Sequence, residues 1–187
     1  MSSPGSAPKR ACRASAADEM SAEAFVHRIE IRASPARLHA FLCDLHNYLP
    51  LHPLIESIDE LPPTPEMPSA RRYRVVDRVP FGPFRMRAAY TAALEPTNPL
   101  EVHGHAWQFP GIRVHTVYTL GGIPAGTRLT ERVAIVAPLL VRRFVVAQAR
   151  KAHHETLERM RVLLEKETDD GAPPAGTTSM PYEVSCG

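Results

Sequence analysis

Apolar and polar residues alternate from Ala24 to Ala33, with Phe25, His27, Ile29 and Ile31 on one side and Arg28, Glu30 and Arg32 on the other. That period of two predicts a strand with one buried face. Ser34-Pro35 follows, a helix cap with proline at the first helical position. A short helix runs from Pro35 to about Asp44, with Leu38, Phe41 and Leu42 inward. The next stretch, DLHNYLPLHP, reads as a second helical turn or two broken by Pro50 and Pro53. Six further strands are predicted over 54–61, 71–79, 84–94, 100–109, 112–120 and 127–137. The proline-rich PPTPEMPSA separates the first two of these, and PFGP, PTNP, PG and GGIPAG make the later connections. Those four are short enough for antiparallel hairpins.

At Pro138 the period changes. From there to Glu165 no glycine or further proline intervenes, which predicts a rod of roughly 40 Å at about 1.5 Å per residue. Leu139, Val146, Ala149, His153, Leu157, Met160 and Leu164 form one stripe, opposite Arg150, Lys151, Glu155, Glu158, Arg159 and Arg161. A stripe of that length needs an apolar partner, and only the strands can supply it. The pattern therefore predicts one α+β domain: a curved, seven-stranded antiparallel sheet wrapped around the long C-terminal helix, with two short helices after the first strand.

The phrase IEIRASPARLHAFLCDLHNYLPLHPLIESI, with Ala33-Ser34-Pro35, Asp44 and Pro53, and the later GTRLTERVAI from Gly126 to Ile135, resembles the START/Bet v 1-like (SRPBCC) superfamily. Its bacterial members include polyketide cyclase/dehydrase-like and lipid-transport-like proteins. The resemblance covers about residues 24–165 and implies a helix-grip fold with a ligand cavity between helix and sheet. It implies no catalytic residue, because the superfamily shares none.

Composition narrows the picture at the ends. Residues 1–23 and 167–187 are rich in Ser, Ala, Gly and Pro and are expected to be disordered tails flanking a domain over 24–166. The first tail has no apolar h-region, so a cytoplasmic location is expected, and no run of about 18 apolar residues spans a membrane. Cys12, Cys43 and Cys186 form no disulfide framework. A net charge of +2 falls short of a nucleic-acid footprint, so no nucleic-acid partner is expected.

Candidate chemistry lies on faces turned toward the expected cavity. His153 stands on the helical stripe between Ala149 and Leu157, so all three are candidate lining residues. An imidazole there can bond a ligand carbonyl or act as a base; the plainer alternative is a core histidine bonded to a backbone carbonyl or a strand carboxylate. His154 is turned about 100° away, toward solvent. Glu131 shares a face with Leu129, Val133 and Ile135, and a pair with His153 is one arrangement; an ion pair with a strand arginine is the other.

His103, His105 and Trp107 alternate on one face of a predicted strand. They are read as a polar, aromatic section of cavity wall, with an exposed face as the alternative. His-x-His with His115 nearby is also a chelating spacing, but no metal or other cofactor is assigned from it. Tyr73, Tyr90 and Tyr118 are further lining candidates. Arginines at 71, 72, 74, 78, 85 and 87, against Asp77 alone, read as a solvated outer face or as an attraction for an anionic surface or acyl carrier. Cys43 with His46 lacks a third orienting group for nucleophilic catalysis, and the chain holds no nucleophile elbow, phosphate loop or HExxH helix.

The expected function is binding or transfer of a hydrophobic small molecule, such as a lipid, acyl chain or polyketide. The alternatives are a cyclase/dehydrase/aromatase using His153 as general base with Glu131 or a tyrosine as acid, and a non-catalytic partner-binding domain with a filled core.

Overall fold

Alternation decides the first element. In the computed structural model, which describes residues 22–170, β1 (Glu23–Ile31) buries Phe25, Ile29 and Ile31 and leaves Val26, Arg28 and Glu30 in solvent. The chain then turns into α1 (Pro35–Leu42), capped by the Ser34 side chain, which accepts from the Arg37 N–H. A 3₁₀ turn (Leu45–Tyr48) follows, capped by Asp44. Next come β2 (Ile55–Leu61), β3 (Arg71–Phe81), β4 (Phe84–Asn98), β5 (Glu101–Gln108), β6 (Ile112–Ile123) and β7 (Gly126–Val136). All pair antiparallel in one seven-stranded sheet, ordered β1-β7-β6-β5-β4-β3-β2. The last element, α2 (Leu139–Asp170), lies against the sheet.

Several boundaries move. The predicted PTNP and GGIPAG connections are mostly strand: β4 continues through Pro96, tolerated at a register shift in its pairing with β5, and β6 continues to Ile123. The long helix does not stop at Glu165 but is helical through Asp170, the last described residue, with no glycine or proline in between. Residues 167–170, expected to open the C-terminal tail, are thus helical, and residues 1–21 and 171–187, which hold the rest of the two expected tails, lie outside the described residues. At its other end Leu139 does not join the buried stripe: it and Leu140 are exposed.

One close approach sets the corner where β7 meets the β1–α1 connection. Gly126 has φ +144°, and a Cβ there would collide with the Ile31 carbonyl oxygen. The next residue, Thr127, is fully buried and donates its hydroxyl to the Ala33 carbonyl at 2.7 Å.

The concave face carries the core in three separate clusters. Ile29, Ile31, Leu38, Leu42, Leu129, Leu157, Met160 and Leu164 pack at one end. Phe25, Ile112, Val133 and Ile135 pack beneath the start of α2, with Val146 and Ala149. Tyr73, Val75, Ala92 and Leu94 make the third. Between them, four of the concave positions of β4 and β5 are small: Ala88, Ala92, Gly104 and Ala106 on the strands face Ala149 and Ala152 on the helix. Side chains of that size leave the helix and sheet apart in the middle.

The arginines of β3 and β4 have more partners than their own strands offer. Glu56 of β2 binds both Arg78 and Arg87, and Arg71 meets Asp44 and Glu60. Asp77, the single acid among them in the sequence, faces the side of the sheet opposite Arg72, Arg74, Arg78, Arg85 and Arg87 and lines the hollow.

Candidate functional site

The gap is a cavity of about 620 Å³. Its floor is the small-residue strip of β4 and β5, its roof is α2, and its rim includes Leu45, Tyr48 and His52 from the segment after α1. Arg159 of α2 holds that segment in place by donating to the Leu51 carbonyl at 3.0 Å. The rim at the other end carries Met86, Phe109 and Val141, all with exposed side chains.

One wall is polar, and Glu131 is its centre. The register places Glu131 of β7 opposite His27 of β1 and Tyr118 of β6, all on the concave face beneath His153. Its carboxylate is 1% exposed. Oε1 lies 2.6 Å from His153 Nδ1 and Oε2 lies 3.0 Å from His27 Nδ1. Burial pushes the acid toward its neutral form, yet the two imidazoles bring its pKa down to about 2. Burial likewise opposes charge on His153; the Glu131 carboxylate, with a further pull from Asp77, holds its pKa above the ordinary value instead. With Nδ1 committed to Glu131, the Nε2 of His153 is the atom left for a ligand.

A second polar group faces it. Asp77 of β3 accepts from the Tyr90 hydroxyl at 3.4 Å. Burial, eased by Tyr90 and His153, leaves the Asp77 carboxyl with a pKa of about 6. Two carboxyls in one cavity thus sit on opposite sides of their ordinary value. His52 is driven the other way, to about 3, by burial and by the nearby His153, so its imidazole is neutral. The Tyr48 hydroxyl is buried without a partner of hydrogen-bonding geometry among the described residues, although Tyr118 lies close enough to act on it.

Of the sequence candidates, Tyr90, Tyr118, Glu131, Ala149, His153 and Leu157 meet around this one cavity. Tyr73 does not: it is fully buried beneath the 3₁₀ turn, its hydroxyl 3.5 Å from the Leu45 N–H. His103, His105 and Trp107 are not a cavity wall either. Val102, Gly104 and Ala106 take the concave positions of β5, so the alternation turns the histidines and Trp107 to the convex face. His105 borders the cavity between Gly104 and Ala106, while its ring stacks on His115. Cys43 pairs with His39 one turn back, not with His46, which bonds Asp44.

Four members of the site are absent from the sequence candidates: His27, placed only on the buried face of β1, and Tyr48, His52 and Asp77. Tyr48 and His52 lie in a stretch broken by two prolines, where no period assigns a face. Asp77 stands among arginines in the sequence, but its parity with Tyr73 and Val75 on β3 puts it inside. The run AAYTAAL carried a further signal, since alternating small residues on a strand facing a helix mark a hollow.

A second depression, open to solvent and about 600 Å³, runs between β1 and α2 on the far side of His27. Arg142, Arg143, Arg150 and Lys151 line it with Glu23 and His154, which makes it basic.

No family model and no curated protein matches the chain. Solved structures do. The di-domain ARO/CYC StfQ from the steffimycin biosynthetic pathway superposes with a TM-score of 0.64 at 9% identity over 82% of this chain, which spans 54% of StfQ. The Zhui aromatase/cyclase from Streptomyces sp. R1128 matches 83% of the chain and 98% of its own length, with 12% identity and a TM-score of 0.58. A START superfamily protein from Mycobacterium smegmatis matches 75% and 98%, with 13% identity and a TM-score of 0.57. Likeness at these identities is likeness of fold: the chain has the START/Bet v 1-like helix-grip fold. No helix among the described residues is long and apolar enough to cross a membrane.

Proposed function

We propose that the chain binds a hydrophobic small molecule in the cavity between sheet and α2, with one carbonyl or hydroxyl of the ligand turned to the polar wall. The observation that carries this is a mostly apolar hollow of about 620 Å³ whose wall includes the buried Tyr48 and a histidine, His153, bonded to Glu131 through Nδ1 only. Apolar burial supplies the affinity, at about 0.8 kcal/mol per methylene before ordering costs. Tyr48 and His153 set the orientation.

Native mass spectrometry of gently purified full-length protein tests the proposal. One equivalent of an apolar molecule, or uptake of a long-chain acyl probe, is the expected result. Ala106→Phe, which projects a ring into the hollow from the middle strand, should remove that binding while the protein stays folded. Equal uptake by wild type and Ala106→Phe would overturn it.

A second reading is an enzyme that abstracts a proton next to a ligand carbonyl, as a cyclase or aromatase must. It is favoured by one specific observation: Glu131 at about 2 and Asp77 at about 6 face one cavity, the pattern of environments that separates acid from base. Asp77 would take the proton, and His153, its ring held and kept protonated by Glu131, would donate from Nε2 to the carbonyl oxygen, in place of the general-base role expected for it. His153→Gln separates the two readings, because it should end turnover of a poly-ketone substrate and only weaken retention of an apolar ligand. The acyl carrier or anionic surface considered for the β3 and β4 arginines fits the basic depression along β1 and α2 better, since Glu56, Glu60 and Asp44 already neutralise much of the strand set.

A further inference from the structure

We propose that the convex face of the sheet, on the side away from the cavity, holds a divalent transition-metal ion, zinc by its donor set, through His103, His105 and His115. Three observations meet there. His105 of β5 and His115 of β6 are cross-strand partners, their rings 4.7 Å apart and 8° from parallel. His103, two residues earlier on β5, points the same way, and its Nδ1 lies 3.4 Å from His115 Nε2. Two nitrogens bound to one zinc at about 2.0–2.1 Å and a tetrahedral angle stand about 3.3 Å apart, so this pair is already at ligand spacing. One nitrogen from each of the three rings falls within 4.8 Å of the others. Because an imidazole binds a metal in its own plane, either His105 or His115 turns out of the stack about its side-chain bonds to complete the set.

The surroundings supply what a bare cluster lacks. Glu101 accepts from the remote nitrogen of His103, Nε2, at 2.9 Å. A carboxylate on the far nitrogen is how proteins orient a metal-binding imidazole and leave its other nitrogen as the donor. Glu95 of β4 is the cross-strand partner of His103 on the same face, a second negative charge beside the incoming cation. All three histidines stand on interior strands of a seven-stranded sheet, so the ligands are held before the ion arrives. Three imidazoles select zinc, cobalt, nickel or copper over magnesium and calcium, which prefer oxygen. Three protein ligands leave a fourth position for water or for a small ligand on the surface. Because the sheet backbone separates this face from the cavity, the proposal stands whether or not the cavity reading does.

Trp107 makes the site testable. It is the single tryptophan of the chain, and its ring lies 5.7 Å from His105 in a near-parallel stack. Cobalt(II) chloride titrated into the full-length, metal-free protein should quench Trp107 fluorescence saturably at one equivalent, raise the visible absorption of a four-coordinate cobalt centre, and be displaced by zinc. His103→Ala and His115→Ala should each weaken cobalt binding at least 100-fold, with far-UV circular dichroism unchanged. Glu101→Gln should weaken it about 10- to 100-fold, the usual cost of losing an orienting partner, while the cobalt spectrum keeps its form. Unsaturable quenching, or one-equivalent binding that His115→Ala and Glu101→Gln leave intact, overturns the site.

Discussion

Replacing Glu131 by glutamine removes one negative charge from a place with almost no water and two histidines within bonding reach. The carboxylate is 1% exposed, 2.6 Å from His153 Nδ1 and 3.0 Å from His27 Nδ1. Its pKa of about 2, against an ordinary 4.5, means that the folded protein favours the ionised acid by about 3 kcal/mol, burial included. Glutamine keeps the shape and one acceptor but not the charge, so that preference is lost. The loss depends on pH in a definite way. Glu131 has a depressed folded pKa, so its contribution is present above pH 4.5 and disappears as pH falls toward 2. His153 has a raised folded pKa, so its share is complete below pH 6.5 and fades as pH rises through the folded value. The difference between wild type and Glu131→Gln should therefore be greatest between these limits. Urea unfolding at about pH 5.5 should show a loss of about 3 kcal/mol with an unchanged slope, and a smaller loss at about pH 9. A loss below about 1 kcal/mol at the lower pH, or one that stays constant between the two, would refute the account of Glu131 as the anion that holds His153 charged.

Other substitutions probe the remaining claims. Gly126→Ala places a Cβ against the Ile31 carbonyl at a left-handed φ, and should cost at least about 3 kcal/mol in urea unfolding, whereas Gly122→Ala, with nothing within 4 Å, should cost under about 1 kcal/mol. Tyr48→Phe removes a buried hydroxyl from the cavity wall, and affinity for an apolar ligand bearing a carbonyl should fall by about 1 kcal/mol in calorimetry. Leu164→Ala, at the fully packed end of α2, should destabilise by about 2–5 kcal/mol. Ala152→Val, beside the hollow, should cost less than about 1 kcal/mol, because the added methyls enter empty space.

The elements were legible wherever a period ran long enough. The alternation of Phe25, His27, Ile29 and Ile31 and the stripe from Val146 to Leu164 reappear as buried faces, and the seven strands follow one another in the order predicted. Ends were less legible: Pro96 and Gly121-Gly122 look like breaks in a linear reading, yet a bulge and an antiparallel partner carry the strands past them. The His153–Glu131 contact was one of two arrangements that the faces allowed. Choosing it required the register that sets Glu131 between His27 and Tyr118.

What the residue order alone determined is periodicity, and with it the division of every long element into an inner and an outer side. It could not say which side of β5 is the inner one. His103, His105 and Trp107 on one face, and Val102, Gly104 and Ala106 on the other, are both plausible linings, since a cavity tolerates aromatic rings and small residues alike. Pairing with β4 and β6 decided it: Leu94 and Tyr118, the neighbours of Gly104 and Val102, are packed in the core, and a strand cannot turn its face against both neighbours. The same constraint carried Asp77 inward, away from the arginines beside it in the chain. Side of sheet is a property of registered neighbours, and neighbours exist only once the chain has folded.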